Sequence, residues 1–272
     1  MTGPRSKVEL VAQFYAGIAA AAFVASGVLY LYTGYIPMTH QDFWQVYDTL
    51  LNHSWLEGAL LKFNGHSLFF PTWLWLIDLH WFHGSQELLF FVGMVLLSLS
   101  VVAMAWPIWR DETLGRTTKL AALLVLGVSN FWMGRSFMLV SGAFNICYSL
   151  AVGGAALAFL YLPAMREGLT ESLGPILVIL GASIISTFSF GAGLVVWPTL
   201  LVLGWCLRLP WRSLVLLGAA MISSAVIYAL LPPHVPHESL VDTKSLFRSD
   251  FIVPIGQLCR LVGSPVHYTA QA

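Results

Sequence analysis

The residues that can do chemistry lie in two parts of this sequence. All eight histidines fall between positions 40 and 83 or between positions 234 and 267. The first part also holds a lysine and several carboxylates. A carboxylate can take the proton of an attacking hydroxyl, whereas lysine and histidine can bind a phosphate and stabilise the charge it gains on leaving. These residue types do not name the reaction by themselves, but they indicate where in the molecule the chemistry should lie.

Asp42 is the candidate general base. It closely follows the first predicted membrane span, so its carboxylate should lie near the headgroups of the outer leaflet. There it could activate a hydroxyl of an acceptor that meets a lipid-linked donor. The alternative is structural: Thr39-His40-Gln41-Asp42 reads as a capping box, in which Asp42 only closes the start of a helix. Both interpretations stay open.

Lys62, Asn64 and His66 are candidate ligands of a donor phosphate. They surround the dipeptide Asn64-Gly65, which is typical of a tight turn. The same residues could instead form a polar turn between two interfacial helices. Arg135, near the outer end of a predicted span, can offer its planar guanidinium to the phosphate or simply reach out to the interface.

Asp78 and His80 complete the set of candidate substrate-binding residues. His80 and His83 are three residues apart and would share a helix face, so with Asp78 they could hold a divalent metal. Two histidines at this spacing are a weak signal, and we predict neither a metal site nor another cofactor. Asp78 in so apolar a helix requires a partner, for which Lys62 and Arg135 are candidates.

The composition predicts an integral membrane protein. The chain is 58% hydrophobic and 10% charged, with a mean hydropathy of +0.77. A soluble protein of this length could not bury so much apolar surface, and a net charge of zero gives no electrostatic case for nucleic acid. We therefore predict an all-α polytopic bundle of about seven spans, forming a single membrane domain over 1–272. The apolar runs are 8–32, 88–109, 120–138, 141–162, 175–190, 192–207 and 213–231.

Lysines and arginines predict the topology. With this set of spans, the basic loops all fall on one side, which the positive-inside rule makes cytoplasmic together with the N-terminus. The segments 33–87 and 232–272 then lie on the extracytoplasmic face. This arrangement requires 175–207 to break near Gly191-Ala192-Gly193, either as two short spans or as a re-entrant hairpin, because one helix of that length would be about 50 Å long.

The segment 33–87 should carry two interfacial helices. Phe43, Val46, Tyr47, Leu50 and Leu51 follow helical spacing and predict an amphipathic helix. The stretch 72–83 is apolar nearly all round and rich in tryptophan, which is typical of the membrane interface. These helices should lie flat on the outer leaflet and position the candidate residues.

The chain resembles bacterial membrane glycosyltransferases of the GT-C type, which use polyprenyl-phosphate-linked sugars. The resemblance rests on the plan of 35–84 with Asp42 in the acidic position, and on several short motifs. These motifs are Asn64-Gly65-His66, Phe70-Pro71, Asp78, Phe82-His83-Gly84, 186–194, Trp197-Pro198 and Gly263-Ser264-Pro265. The resemblance implies a multi-pass protein of the bacterial inner membrane that transfers sugar from this donor to a glycan or protein acceptor, with membrane lipid around it.

Two departures from that family pattern have consequences. Gly65 replaces an acidic residue of the motif, and such proteins normally continue through further spans. We therefore expect a truncated or partial relative, which a further membrane polypeptide completes. The alternative function is a non-catalytic subunit or a transporter or flippase of lipid-linked sugars. The near absence of charges inside the predicted spans favours a surface site over a transport path.

Overall fold

The computed structural model describes residues 7–33, 43–131, 145–167 and 173–233, and within them the protein is mostly helical. The helices are α1 (Lys7–Thr33), α2 (Phe43–Asn52), α3 (Trp55–Leu60), α4 (Phe69–Trp81), α5 (Glu87–Arg110), α6 (Arg116–Phe131), α7 (Asn145–Tyr161), α8 (Leu173–Thr187), α9 (Val196–Cys206) and α10 (Trp211–Leu230). The other elements are 3₁₀ helices at Leu162–Glu167 and Gly191–Val195 and an antiparallel hairpin of β1 (Lys62–Phe63) and β2 (His66–Ser67).

Helices occupy every predicted span, as far as these spans are described. Three of the described stretches are long and apolar enough to cross a membrane: α5, Ile146–Arg166 and α10. The helices α8 and α9 are apolar but shorter. The prediction of a mostly helical protein with helices long and apolar enough to cross a membrane is thus confirmed.

The predicted break in 175–207 is present. Helix α8 ends at Thr187, and the chain passes through the 3₁₀ helix Gly191–Val195 into α9. The turn folds back tightly, because a Cβ on Gly193 would collide with the backbone carbonyl of Ser186. Helix α9 then packs beside α7, α8 and the 3₁₀ helix after α7. The two short helices therefore form a reversed pair instead of one long rod.

Helices α2, α3 and α4 and the hairpin form a cap over one end of the helices. Val46, Tyr47 and Leu50 of α2 are buried, as the amphipathic pattern predicts, whereas Leu51 is exposed. The short helix α3 begins with a capping box at Ser54, whose hydroxyl accepts the N–H of Glu57 while the Glu57 carboxylate accepts the N–H of Ser54. The sequence Ser54-Trp55-Leu56-Glu57 carries this signal, which our sequence analysis did not identify.

A buried apolar cluster joins the cap to the long helices. It contains Val46, Leu50, Trp75 and Leu76 of the cap, and Leu89 and Ile146 near the starts of α5 and α7. Because α5 runs for 24 residues, about 36 Å, its far end lies well away from this cluster. We call the two ends of the helices the cap end and the basic end. The basic end carries Arg110, Arg116, Lys119, Arg166, Arg208 and Arg212.

Candidate functional site

The hairpin carries three of the predicted site residues at the cap end. Its two-residue loop, Asn64-Gly65, has positive φ at both positions (46° and 73°), the requirement of a type I′ turn. Asn64 is exposed at the tip. The predicted turn is thus confirmed, but it joins two strands, and the all-α prediction omits this element.

The end of α10 holds the hairpin in place. The hydroxyl of Tyr228 donates to the carbonyl of Gly65 (3.0 Å) and accepts the N–H of Ser67 (3.1 Å). The N–H of Lys62 donates to the carbonyl of Pro232 at 2.9 Å. Segments far apart in sequence are thereby fixed to one another, and the sequence analysis did not single out Tyr228. Its only advance signal was a polar hydroxyl near the end of an apolar span.

The side chain of His66, on β2, packs against the turn between α8 and α9. Its imidazole packs on the ring of Phe190, with the ring centroids 4.5 Å apart and the planes tilted by 31°. Nδ1 faces Gly191 so closely that a Cβ on that residue would collide with it. The ring is half-buried, and this burial lowers the pKa of His66 below its usual value. Burial thus favours the uncharged imidazole, which can take part in hydrogen bonds as a donor or an acceptor.

The ammonium group of Lys62 lies at the C-terminal end of α10. Nζ is 3.5 Å from the carbonyl oxygens of both Tyr228 and Ala229, and 6.0 Å from the centre of the Tyr228 ring. A cation is favourable there because the last carbonyls of a helix lack partners within the helix. The strand register also places Lys62 and His66 on opposite faces of the hairpin. The structure thus brings both residues to one corner without setting them side by side.

Asp78 lies inside the cap and not on its surface. Its carboxylate is fully buried and accepts the N–H of Gln86 at 3.1 Å. Burial raises the pKa of Asp78, against the lowering effect of the Gln86 N–H and the Tyr47 hydroxyl. Burial and the Asp78 carboxylate in turn raise the pKa of Tyr47.

The expected pairing of Asp78 with Lys62 is therefore wrong. The Lys62 ammonium group contacts the end of α10, and Asp78 instead joins α4 to the start of α5. The backbone carbonyl of Asp78 accepts the N–H groups of Phe82 and Gly84, so this residue fixes the corner between the two helices.

His80 and His83 do not share a helix face as predicted. Helix α4 ends at Trp81, and His83 has a left-handed φ of 56° in the turn that follows. His80 is exposed and stacks on Trp55, with the ring centroids 4.9 Å apart. Among the described residues, no group of three or more His, Cys, Asp or Glu side chains could hold a metal ion.

Apolar clefts run along the described helices, and the smaller of two such clefts is lined by Phe190, which contacts His66 of the hairpin. It encloses about 330 Å³ between α7, α8 and α9, and both Tyr148 and Phe190 line it near the cap. The hydroxyls of Ser186 and Thr199 in its wall donate to backbone carbonyls, so the cleft presents mainly hydrocarbon. The larger cleft, of about 910 Å³, lies between α1, α5 and α6. Phe190 thus separates the smaller cleft from the imidazole of His66.

Other predicted site residues lie outside the described ranges. They are the candidate base Asp42 and the candidate phosphate ligand Arg135. The described part of the candidate site is therefore His66 with Asn64 beside it, the charge of Lys62 at the same corner, and a hydrocarbon cleft beyond Phe190. A ligand with a polar head and an apolar chain matches this arrangement in chemistry.

Comparison of the chain with known protein families, with curated proteins and with solved structures found no match. The likeness to GT-C glycosyltransferases consequently stays a prediction from residue motifs, and the function is argued below from the site.

Proposed function

We propose that the protein is a membrane glycosyltransferase that takes sugar from a polyprenyl-phosphate donor on the extracytoplasmic face of a bacterial inner membrane. The observation that carries the proposal is the position of Phe190, whose ring contacts His66 and which also lines the apolar cleft. A donor of this kind has a phosphate next to a long hydrocarbon chain. At Phe190 the His66 imidazole, which can hydrogen-bond the phosphate, lies next to the apolar cleft, which can hold the hydrocarbon chain.

The distribution of residues between the two ends supports the orientation. Exposed tryptophans occur at both ends of the helices, as in proteins whose aromatic side chains sit at both membrane surfaces. Trp55 and Trp81 lie at the cap end, and Trp106 and Trp205 lie towards the basic end. Because the arginines within the described ranges lie at the basic end, the positive-inside rule favours that end as the cytoplasmic one. The cap then lies on the outer surface, where lipid-linked sugars can meet their acceptors.

The roles follow from the chemistry of each side chain. Asp42 removes the proton of the acceptor hydroxyl, whose oxygen attacks the anomeric carbon while the bond to the phosphate oxygen breaks. The electron pair of that bond leaves with the phosphate. Asn64 and His66 hydrogen-bond the phosphate, and Lys62 and Arg135 add positive charge as negative charge develops. Asp78 stabilises the fold of the cap through its bond with the Gln86 N–H. His80 stacks on Trp55 at the surface of the cap.

One substitution tests the proposal most directly. Asp42→Asn keeps the size and much of the capping ability of the side chain but removes the basic lone pair. Loss of a helix cap costs about 1 kcal/mol of stability, whereas loss of a general base slows the reaction by about two to four orders of magnitude. We expect a folded variant that has lost transfer, measured in proteoliposomes with a panel of polyprenyl-phosphate sugars.

Asp48→Asn is the matched control for this experiment. Asp48 is exposed on α2, and its carboxylate accepts a local hydrogen bond from Asn52 at 2.9 Å. This variant should keep wild-type transfer. If Asp42→Asn also transfers sugar at the wild-type rate, the catalytic role of Asp42 is wrong.

The second candidate function is a non-catalytic subunit of a larger membrane assembly. The observation that favours it is that Lys62 and Asp78 already bind other parts of this protein. Under this alternative, the purified chain transfers no sugar from any donor and copurifies stoichiometrically with another membrane polypeptide. Transfer by the purified chain alone would eliminate it.

A further inference from the structure

Gly191 lies in the connection between α8 and α9, at the point where this connection contacts the hairpin. A Cβ built on this glycine would collide with Nδ1 of His66, and it would stand 3.1 Å from Cε1 of the same ring and 3.0 Å from the Tyr228 hydroxyl. The backbone at Gly191 does not require a left-handed φ, since only Gly65 and Gly84 among the described glycines have positive φ. The need for glycine here therefore comes from the space that the imidazole occupies.

The turn fixes the orientation of the His66 ring. Phe190 covers one face of the imidazole, and Gly191 lies against the edge formed by Nδ1 and Cε1. Nε2 is then the ring nitrogen that remains to meet a ligand. Tyr228 holds the neighbouring backbone on both sides of His66, at Gly65 and Ser67, so that the strand cannot shift to compensate.

We propose that Gly191 is a positioning residue for the substrate site: by leaving space for the Nδ1 edge of His66, it aims Nε2 at the phosphate of the donor. The identity of the ligand rests on the proposed function, whereas the dependence of the His66 ring on Gly191 does not. A displacement of about 1 Å in a binding group can cost up to about a hundredfold in rate. A methyl group at position 191 should therefore weaken donor binding without touching the donor.

A double-mutant cycle tests this proposal. Gly191→Ala in the wild-type background should raise the KM for polyprenyl-phosphate sugar by roughly ten- to a hundredfold, with a smaller change in kcat. In the His66→Ala background the collision with the imidazole is removed and only the 3.0 Å contact with the Tyr228 hydroxyl remains, so Gly191→Ala should change KM by less than about twofold. An equal loss in both backgrounds would show that Gly191 serves only the helix turn.

Two other glycines provide controls within the same pair of helices. Gly181→Ala places its Cβ in open space and should leave KM unchanged. Gly193→Ala meets the carbonyl of Ser186 and disturbs the turn itself, so its effect should persist when His66 is absent. If Gly191→Ala does not fold, the Gly191→Ala/His66→Ala protein should still be recovered folded. Failure of that double variant to fold would overturn the proposal.

A readout without substrate separates this proposal from the proposed function. The rate at which diethyl pyrocarbonate modifies His66, followed by mass spectrometry of its peptide, reports the position of the ring. Gly191→Ala should increase this rate, and Gly181→Ala should not. An unchanged rate of His66 modification in Gly191→Ala would overturn the proposal that Gly191 positions the His66 ring, even if sugar transfer is intact. A higher modification rate in Gly191→Ala, in a protein that has no transferase activity, would support the positioning role of Gly191 and reject the glycosyltransferase function.

Discussion

The cap end and the basic end differ in how far apart in sequence their contacting residues lie. At the cap end, residues far apart in sequence bind one another: the hairpin binds the end of α10, and His66 packs on the turn after α8. At the basic end, the described contacts are mostly local. Asp111 accepts hydrogen bonds from Thr113, and α9 ends in a Schellman turn in which Arg208 has a φ of 56° and the N–H of Leu209 binds the carbonyl of Gly204. Gln13 of α1 also donates to the Thr117 hydroxyl of α6 at 3.2 Å, which is a long-range bond near the basic end. The long-range polar contacts of the described residues are nevertheless concentrated at the cap end, where we place the chemistry.

The largest expected difference between the two ends is their accessibility from outside the cell. In a cysteine-free background, Leu60→Cys in the cap and Gly115→Cys at the basic end both place a thiol at an exposed position. An impermeant maleimide applied to intact spheroplasts should label position 60 almost completely and position 115 only at background level. The read-out is a gel shift. Labelling of position 115 alone would show that the topology is the reverse of the one proposed and that the site does not lie on the outer face.

A smaller effect should distinguish the two ends in stability. Tyr228→Phe removes the hydroxyl that serves the buried Ser67 N–H and the Gly65 carbonyl, which should cost about 1–3 kcal/mol. Tyr161→Phe, at an exposed position towards the basic end, should cost nearly nothing. Thermal unfolding in detergent measures both. Equal melting temperatures for the two variants would show that the hairpin does not depend on Tyr228.

The smallest expected effect is a difference in the sign of pH dependence. Burial raises the folded-state pKa of Asp78, so the stability that it contributes is present below its ordinary pKa and is lost as the pH rises through the folded value. Hydrogen bonds from Thr113 lower the folded-state pKa of Asp111, so its contribution is present above the ordinary pKa and is lost as the pH falls.

Matched asparagine variants measure this difference. Asp78→Asn keeps an acceptor for the Gln86 N–H, and it should flatten the loss of melting temperature that begins as the pH rises above about 4. Asp111→Asn should flatten only the loss that occurs on acidification below that value. If Asp78→Asn leaves the pH profile unchanged, the Asp78 carboxyl has the same pKa in the folded and the unfolded protein, and the raised pKa is wrong.

The features that sequence could predict are those encoded by neighbouring residues. The apolar runs predict the helices, Asn64-Gly65 predicts a turn with positive φ, and Gly191-Ala192-Gly193 predicts the helix break, since each signal lies within a few residues. The hairpin was missed because strands of two residues are too short to show alternation. The burial of Asp78 was missed because it depends on Tyr47 and Gln86, which lie on either side of it in the sequence and fold around it.

The site was predictable only in part, for the same reason. Side-chain type identified Lys62 and His66 as candidates, but no sequence signal indicated that Tyr228, Phe190 and Gly191 would surround them. Those contacts depend on how distant helices pack. The placement of Lys62 at the end of α10 likewise follows from helix geometry and not from the residues next to it.

The bond between the hairpin and Tyr228 also sets an order of events during synthesis. Lys62 and Tyr228 are separated by 166 residues. At ordinary translation rates of about 5–20 residues per second, the hairpin emerges roughly 10–30 seconds before the helix that will hold it. During that interval the segment carrying His66 must wait at the membrane without its final partner. The corner formed by the hairpin and α10 therefore assembles only after α10 has been made, and a ribosome that stalls before Tyr228 leaves the hairpin unsecured.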